Sequence, residues 1–546
     1  MVKIKYQRFI LFFLIFAVAI LLRIGLSSGI EGSDDVVYLT QAYKIATGEY
    51  EIPIYIAHLR IATIFPIALI FKIFGPNSFT IYLWSLIASL INIIIIYKIS
   101  HLLFDEKTAI LSAICAVFYP LDIHMAGQAL VETSLALMLS VSVLFYLKGF
   151  KSKDPNKSST YNIICGIFIG LAALNKHPAI FIILFFVIHI IINKHSFFNL
   201  FYILLGGFMI FLIENIYWYF ISGDPLFLYH MYLEVIVVNR QLTIQGGNLP
   251  LTYYLYYTLI SIQHVGLYYY LSLFGLTYIF LKKSNIDTNN FTGVKFLLMW
   301  GLSLMFIMTF LPISIRPLLF IHKQTNYMMM FSMPFVILGG YSLSLIKKRA
   351  IQYAVIIILC SMSVFSAYIQ RNTVKSHGYN TEAALKYIVK YPGTLLLTGE
   401  YNTHYFMVYN MINEQKIEYY FFDQIINGKI DKSSYRYQRK PNDDQRFINA
   451  IKNHEKVLIL YDYRMAKRQR GYYYPDPIIL NKPESGLKLI AAIKKDKTQL
   501  EEVIEVIVNR IVKFMRQHGF AITYAKKLEN LMQDTFYPDP AFIYIK

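Results

Sequence analysis

Residues 79–99 read FTIYLWSLIASLINIIIIYKI, twenty-one residues in which Lys98 is the one charged side chain. As a helix such a run covers about 30 Å, the thickness of the hydrocarbon core of a bilayer. Barrel strands could not carry it, because they run to about ten residues and alternate apolar with polar. Comparable runs recur at 9–29, 108–124, 129–149, 161–175, 178–193, 197–221, 253–281, 294–314, 327–346 and 351–370. The chain therefore reads as a polytopic α-helical membrane protein of about eleven spans. Two of these runs, 161–175 and 178–193, are short; their joint at Asn175-Lys176-His177-Pro178 could equally be a break in one re-entrant unit.

Composition agrees. Of 546 residues, 56% are hydrophobic and only 16% charged, far more apolar than a soluble domain of this length requires. The net charge of +19 is spread unevenly: residues 371–546 hold 28 of the 52 basic and 19 of the 33 acidic residues, an excess of nine. Orientation of loops and a basic soluble surface account for this excess; attraction to anionic headgroups or an anionic glycan is the sharper reading. No nucleic-acid-binding motif accompanies the charge. Cys115, Cys165 and Cys360 all lie in apolar runs without metal-ligand spacing, as buried small hydrophobes do.

Short loops alternate in basicity. One set carries Lys98 and Lys107, then Lys148, Lys151, Lys153 and Lys157, then Lys194, Lys282 and Lys283, and Lys347, Lys348 and Arg349. By the positive-inside rule these loops are cytoplasmic, which puts the N-terminus inside and the C-terminal region outside. Lys3, Lys5 and Arg8 before the first run resemble a signal peptide, but no small-x-small cleavage site follows and Arg23 interrupts the run, so an uncleaved first span is expected. The external loops 30–78 and 222–252 are long, and loops of that length usually carry function. Within the first, 35–47 and the Pro66-containing 61–74 are expected to be interfacial helices.

From Arg371 onward the apolar runs cease. Strand-like Gly393–Thr398, Lys456–Tyr461 and Ala541–Ile545 alternate with helical patterns, and Thr498-x-x-Glu501 is a capping box opening an amphipathic helix to Gly519. Residues 1–370 are thus expected to form a transmembrane domain and 371–546 an extracytoplasmic soluble α/β domain.

There is no Walker A sequence, no H-E-x-x-H and no G-x-S-x-G. What remains is a group of ionisable residues on the expected outer face: Asp34, Asp35, Arg60, Asp122, Glu132, Lys176, Arg240, Arg316 and Lys323. A carboxylate can serve as general base to a hydroxyl, and Lys or Arg can hold a phosphate that leaves. Each also has a plain structural reading: Asp34 as a helix cap, Glu132 as a solvated helix end, Lys176 and Lys323 as snorkelling side chains, Arg316 as structural.

Several stretches, in order, resemble the C-type glycosyltransferases that use polyprenyl-phosphate sugars, the group that includes protein O-mannosyltransferases and lipid A aminoarabinose transferases. They are Asp34-Asp35-x-x-Tyr38 followed by Gly48, Phe74-Gly75, Gln128-x-x-x-Glu132, Gly170 to Asn175-Lys176, Gly223-Asp224-Pro225-Leu226 with Asn239-Arg240, and Lys323-x-x-x-Tyr327. The resemblance covers roughly residues 1–370. It implies that fold for the membrane part, and inverting transfer of a sugar from a polyprenyl-phosphate carrier to an acceptor hydroxyl outside the membrane. It implies Asp34 as base or acceptor-orienting carboxylate, with Asp35, Glu132 and Tyr38 shaping the acceptor pocket. Lys176, Arg240, Lys323 and Tyr327 would bind the donor phosphate, helped by Arg60. One departure stands out: His58-Leu59-Arg60 replaces the Glu-Lys-Pro of the aminoarabinose transferases, which argues against a lipid A acceptor. No cofactor is required; the carboxylates could ligate a divalent metal. Expected partners are the lipid-linked donor, a lipid, glycan or protein acceptor, and membrane lipids. The alternatives are a transporter or flippase of lipid-linked sugar, and a polysaccharide ligase that uses a diphosphate carrier.

Overall fold

The computed structural model describes residues 2–49, 51–53, 56–238, 249–281, 288–315, 318–413, 416–427, 442–468, 473–517, 522–536 and 539–546. The chain divides into two compact units, Met1–Ser27 with Gln41–Gln370, and Ser28–Thr40 with Arg371–Lys546.

The first unit is helical. In order it contains α1 (Val2–Gly25), the second half of α2 (Asp34–Thr47), α3 (Ile61–Phe74), α4 (Leu83–Leu103), α5 (Glu106–Val117) and α6 (Pro120–Ala126). Then come α7 (Glu132–Lys151), α8 (Pro155–Asn175), α9 (Ile182–Ile192), α10 (Phe198–Ser222), α11 (Phe227–Val238), α12 (Tyr253–Leu259) and α13 (Tyr268–Leu281). After α14 (Thr288–Phe310), strands β1 (Pro312–Ile315) and β2 (Leu318–Phe320) pair antiparallel, followed by α15 (Met329–Ser344) and the part of α16 (Arg349–Ile388) up to Gln370, the rest of α16 belonging to the second unit. Among the described residues seven helices are long and apolar enough to cross a membrane, and the pair α5–α6, bent by 54°, brings the number to eight if it is one broken span and not a re-entrant loop. Shorter apolar segments, Ile10–Gly25, His177–Ile192 and Tyr268–Leu281, occupy the remaining three expected positions.

The structure corrects several expected boundaries, for local reasons. The run at 108–124 breaks where Pro120 starts a new helix. The run at 161–175 is the apolar part of a helix that already starts at Pro155, because Asp154 caps it by accepting from the amides of Asn156 (3.0 Å) and Lys157 (3.4 Å). The expected single span 253–281 is two helices, interrupted around Ile260–Leu267. The last apolar run ends near 370, but its helix continues to Ile388.

Helices α8 and α10 touch backbone to backbone. A Cβ at Gly166 would lie 1.9 Å from the Ile203 carbonyl oxygen, and one at Gly206 would lie 2.1 Å from that of Ile163. Small residues permit such close approach, which substitutes for the hydrophobic drive that is weak between helices in lipid. Elsewhere α10 exposes Phe201, Phe208, Phe211 and Phe220, a large apolar surface of the kind that faces lipid.

The second unit is built on a five-stranded sheet of order β4-β3-β5-β7-β6. Its strands are β3 (Leu395–Thr398), β4 (Tyr419–Phe421), β5 (Val457–Asp462), β6 (Lys488–Ile493) and β7 (Ala541–Ile545). Strands β3, β4 and β5 are parallel, and β7 runs antiparallel to β5 and β6. β5 is buried along its whole length. Leu396, Leu458 and Leu460 enter one core, while Leu397, Ile459 and Tyr461 enter the other, the two-residue period of a sheet covered on both faces. Helix α17 (Glu400–Ile412) follows β3. The capping box is formed: the Glu501 amide donates to Thr498 Oγ1 (3.3 Å) and the Thr498 amide to Glu501 Oε2 (2.9 Å), opening a helix over Gln499–Gln517.

One domain assignment changes. Residues 28–40, expected as the end of the span 9–29 and the start of the loop 30–78 in the membrane domain, pack with the C-terminal unit. The cause is hydrogen bonding of their backbone by α17, detailed below.

Candidate functional site

In the first unit the structure brings Glu132, Lys176 and Tyr327 together. Glu132 opens α7, where a carboxylate is favoured by the helix dipole, and Lys176 closes α8, the antiparallel neighbour. Lys176 Nζ donates to Glu132 Oε1 at 2.5 Å, with both side chains almost wholly buried. The same ammonium stands over the Tyr327 ring, 4.1 Å from its centroid, a cation–π contact. Asn326 Nδ2 donates to Glu132 Oε1 at 2.7 Å. Among the described residues, Glu132 Oε2 and both polar atoms of the buried Gln128 have no hydrogen-bond partner.

Neighbouring polar groups fix this cluster. Thr63 Oγ1 donates to Asn175 Oδ1 (2.6 Å) and lies 2.9 Å from Ser134 Oγ, tying α3, α7 and α8 beside the ion pair. Arg60, the residue before α3, places Nη1 3.4 Å from His177 Nδ1, and the Tyr232 hydroxyl bonds the same ring. His177 directly follows Lys176, so Arg60 borders the cluster through it.

Lys323 is 1% exposed. Its Nζ reaches the Leu249 carbonyl at 3.4 Å and stands 5.4 Å from the Phe320 ring centroid. Among the described residues no carboxylate pairs with it. Burial holds its pKa below the ordinary lysine value. His322 is likewise pushed down, by burial first and then by the nearby ammonium groups of Lys176 and Lys323. The two cations therefore act on one locality. Arg240 and Arg316 lie outside the described residues.

Sequence reasoning missed the buried ion pair of Arg23 with Asp122, at 2.6 Å. Ser89 Oγ bridges it, and Arg23 also donates to the carbonyls of Ala19, Ala116 and Val117. Arg23 thus adds donors to the buried carbonyls that end α5, next to the α5–α6 bend. The signal was the arginine itself, which only a buried partner makes tolerable in an apolar run.

Asp34, Asp35 and Tyr38 belong to the second unit. The two aspartates differ sharply. Asp35 is fully buried and accepts from the amides of Glu31 (2.6 Å) and Ser33 (2.7 Å). Burial raises its pKa, opposed by these amide donors. Asp34 is exposed in the first turn of α2, with the hydroxyl of buried Tyr38 3.5 Å from its Oδ2. Asp35 is thus placed to hold the loop, while Asp34 lies at the surface beside it. Among the described residues no three His, Cys, Asp or Glu side chains gather as a metal site would.

The fold is that of the C-type glycosyltransferases. Residues 61–218, which include Glu132 and Lys176 but neither Asp34 nor Lys323, match the sequence model of the dolichyl-phosphate-mannose-protein mannosyltransferase family. Among solved structures, apo ArnT from Cupriavidus metallidurans is similar, with a TM-score of 0.58 at 14% identity over 83% of this chain and 93% of its own. ArnT of the same organism bound to undecaprenyl phosphate aligns with a TM-score of 0.55 at 12% identity, over 84% and 94%. The Archaeoglobus fulgidus oligosaccharyltransferase tethered with an acceptor peptide aligns over 99% of this chain and 89% of its own, at 12% identity and a TM-score of 0.49. No curated protein sequence matches the chain.

Proposed function

We propose that this protein is an integral membrane glycosyltransferase that moves a sugar from a polyprenyl-phosphate carrier to an acceptor hydroxyl on the outer side of a cell membrane. The basic loops support an orientation with the N-terminus cytoplasmic and the C-terminal unit outside. The observation that carries the reading is Lys323. A buried ammonium without a carboxylate is costly, and a phosphate bound there would offset that cost.

Asp34 orients the acceptor hydroxyl and takes its proton as the acceptor oxygen bonds to the anomeric carbon. The carbon–oxygen bond to the phosphate breaks on the opposite face, which inverts the centre. The electron pair leaves with polyprenyl phosphate, whose charge Lys323, Lys176 and Arg240 hold, with Arg60 at the border and the Tyr327 hydroxyl as a donor. Glu132 keeps Lys176 in place, and its remaining oxygen accepts from a hydroxyl of the donor or acceptor. The reading needs no resident metal. A transporter would line a path at mid-span with ionisable groups, whereas Glu132 and Lys176 sit at helix ends, which favours transfer.

The test is sugar transfer by the purified full-length protein from undecaprenyl phosphates and diphosphates carrying labelled hexoses or pentoses, to membrane lipid, glycan and protein acceptors. Wild type is compared with Asp34→Asn, each shown to be folded. Turnover from monophosphate donors that falls roughly 10²- to 10⁴-fold in Asp34→Asn supports the assignment. Equal turnover moves the base elsewhere. Turnover from diphosphates alone makes the protein a ligase, and no transfer with movement of donor across liposomes makes it a transporter.

A further inference from the structure

In open α/β sheets the ligand crevice lies beyond the carboxyl ends of the parallel strands, where the strand order reverses. In the second unit that place is the end of β3 and β5, since β4 lies on one side of β3 and β5 on the other. It is already filled by the chain itself. Asp462, at the end of β5, is fully buried; its Oδ1 accepts from Asn380 Nδ2 (3.0 Å) and the Arg464 amide (3.0 Å), and its Oδ2 from Asn402 Nδ2 (3.2 Å). Arg464 Nη1 donates to the Ser376 carbonyl (2.6 Å) and hydroxyl (2.8 Å). Ser376 and Asn380 stand on α16, and Asn402 stands on α17.

The same helix α17 then grips the loop before α2. The His404 Nδ1–H donates to the Gly32 carbonyl (2.6 Å), and the Tyr405 hydroxyl points at the carbonyls of Glu31 (3.2 Å) and Ile30 (3.4 Å). The Tyr405 ring is wedged between two glycines: a Cβ at Gly32 would lie 3.1 Å from it, and one at Gly378 would lie 2.3 Å away. Gly32 also has φ +81°, a conformation natural to glycine. Carbonyls 30–32 are therefore held by α17, while the amides of 31 and 33 are held by Asp35. Asp34 is the next residue, pinned through its backbone with its carboxylate left exposed.

We infer that the strand-end crevice of the C-terminal unit serves as a clamp for the 30–35 loop, with His404 and Tyr405 as positioning residues for Asp34. This rests on the reading of Asp34 given above. The C-terminal unit is then part of the transfer apparatus, and a displacement of about 1 Å at Asp34 is enough to cost on the order of 10²-fold in rate.

Hydrogen–deuterium exchange of the full-length protein in nanodiscs tests the clamp without any donor. His404→Val and Tyr405→Phe should speed exchange of amides 31–36 by roughly tenfold or more and leave β3 and β5 unchanged. His404→Asn, which keeps a donor near the Nδ1 position, should restore protection. Unchanged exchange at 31–36 in both variants overturns the clamp. In transfer assays with the undecaprenyl-phosphate sugar that proves active, His404→Val should lower kcat about ten- to a hundredfold with donor KM unchanged. In the Asp34→Asn background it should add no further loss. A full additional loss there means that His404 acts merely on stability, which also overturns the inference. If Asp34→Asn is as active as wild type while exchange at 31–36 responds, the clamp exists but the assignment of Asp34 is what has failed.

Discussion

Lys176 Nζ and Glu132 Oε1 lie 2.5 Å apart, joining the residue that caps the C-terminus of α8 to the first turn of α7 in the first unit. Removing one partner strands a buried charge, so Lys176→Met or Glu132→Gln alone should cost about 3–5 kcal/mol. The double variant should be less destabilised than the sum of the two. Thermal unfolding in detergent, arranged as a double-mutant cycle, measures the coupling.

Lys323 has a different prospect, because its burial is not matched by a carboxylate among the described residues. Lys323→Met should leave the fold as stable as wild type or more so, and weaken binding of undecaprenyl phosphate by roughly ten- to a hundredfold, the worth of one charge-assisted hydrogen bond. Calorimetric titration reads this directly. Unaltered affinity would remove Lys323 from the donor site.

Asp35 and Asp34 should separate by phenotype. Asp35→Ala leaves the amides of Glu31 and Ser33 without their acceptors, at about 1–3 kcal/mol for each buried group. Stability of the second unit should therefore drop. Asp34→Ala, at an exposed position, should change stability by less than about 0.5 kcal/mol. Unfolding curves of the two variants, set beside turnover, test the division.

Gly166 supports no larger residue. Even Gly166→Ala drives its methyl group against the Ile203 carbonyl, so α8 and α10 must part, at about 1–3 kcal/mol or more. Gly207, whose nearest outside atom would be 3.6 Å from an added Cβ, should accept alanine. The melting temperatures of the two variants should differ accordingly.

His58, in the turn Ile56–Leu59, has its pKa lowered to about 4 by burial and then by the nearby Lys44 charge. Between pH 6.5 and about 4 the unfolded chain binds a proton that the folded one refuses. Stability should thus fall as the pH is lowered through that window and be flat above it. His58→Phe should flatten the pH dependence of the melting temperature there.

Much of the fold is legible along the chain because hydropathy and caps are local. The run at 79–99 became α4, the 61–74 segment became α3, and the Thr498–Glu501 box opened its helix as expected. The order of motifs was also enough to gather Glu132, Lys176, Tyr327 and Lys323 as candidates. Asp154 could have revealed the true start of α8, since an N-cap followed by proline is a sequence signal.

What only the tertiary structure decided is which buried polar groups meet. Arg23 and Asp122 are 99 residues apart in sequence, and Glu132 and Lys176 are 44 apart. No local pattern encodes those pairings, because they depend on which helices pack and at what depth. The same holds for residues 28–40. Their sequence assigns them to the membrane domain, nearly all to its first external loop, yet hydrogen bonds from His404 and Tyr405, more than 370 positions away, make them part of the C-terminal unit. Hydropathy determines that the chain enters the membrane; satisfaction of buried hydrogen-bonding groups, a property of packed elements, decides which distant polar side chains are held together.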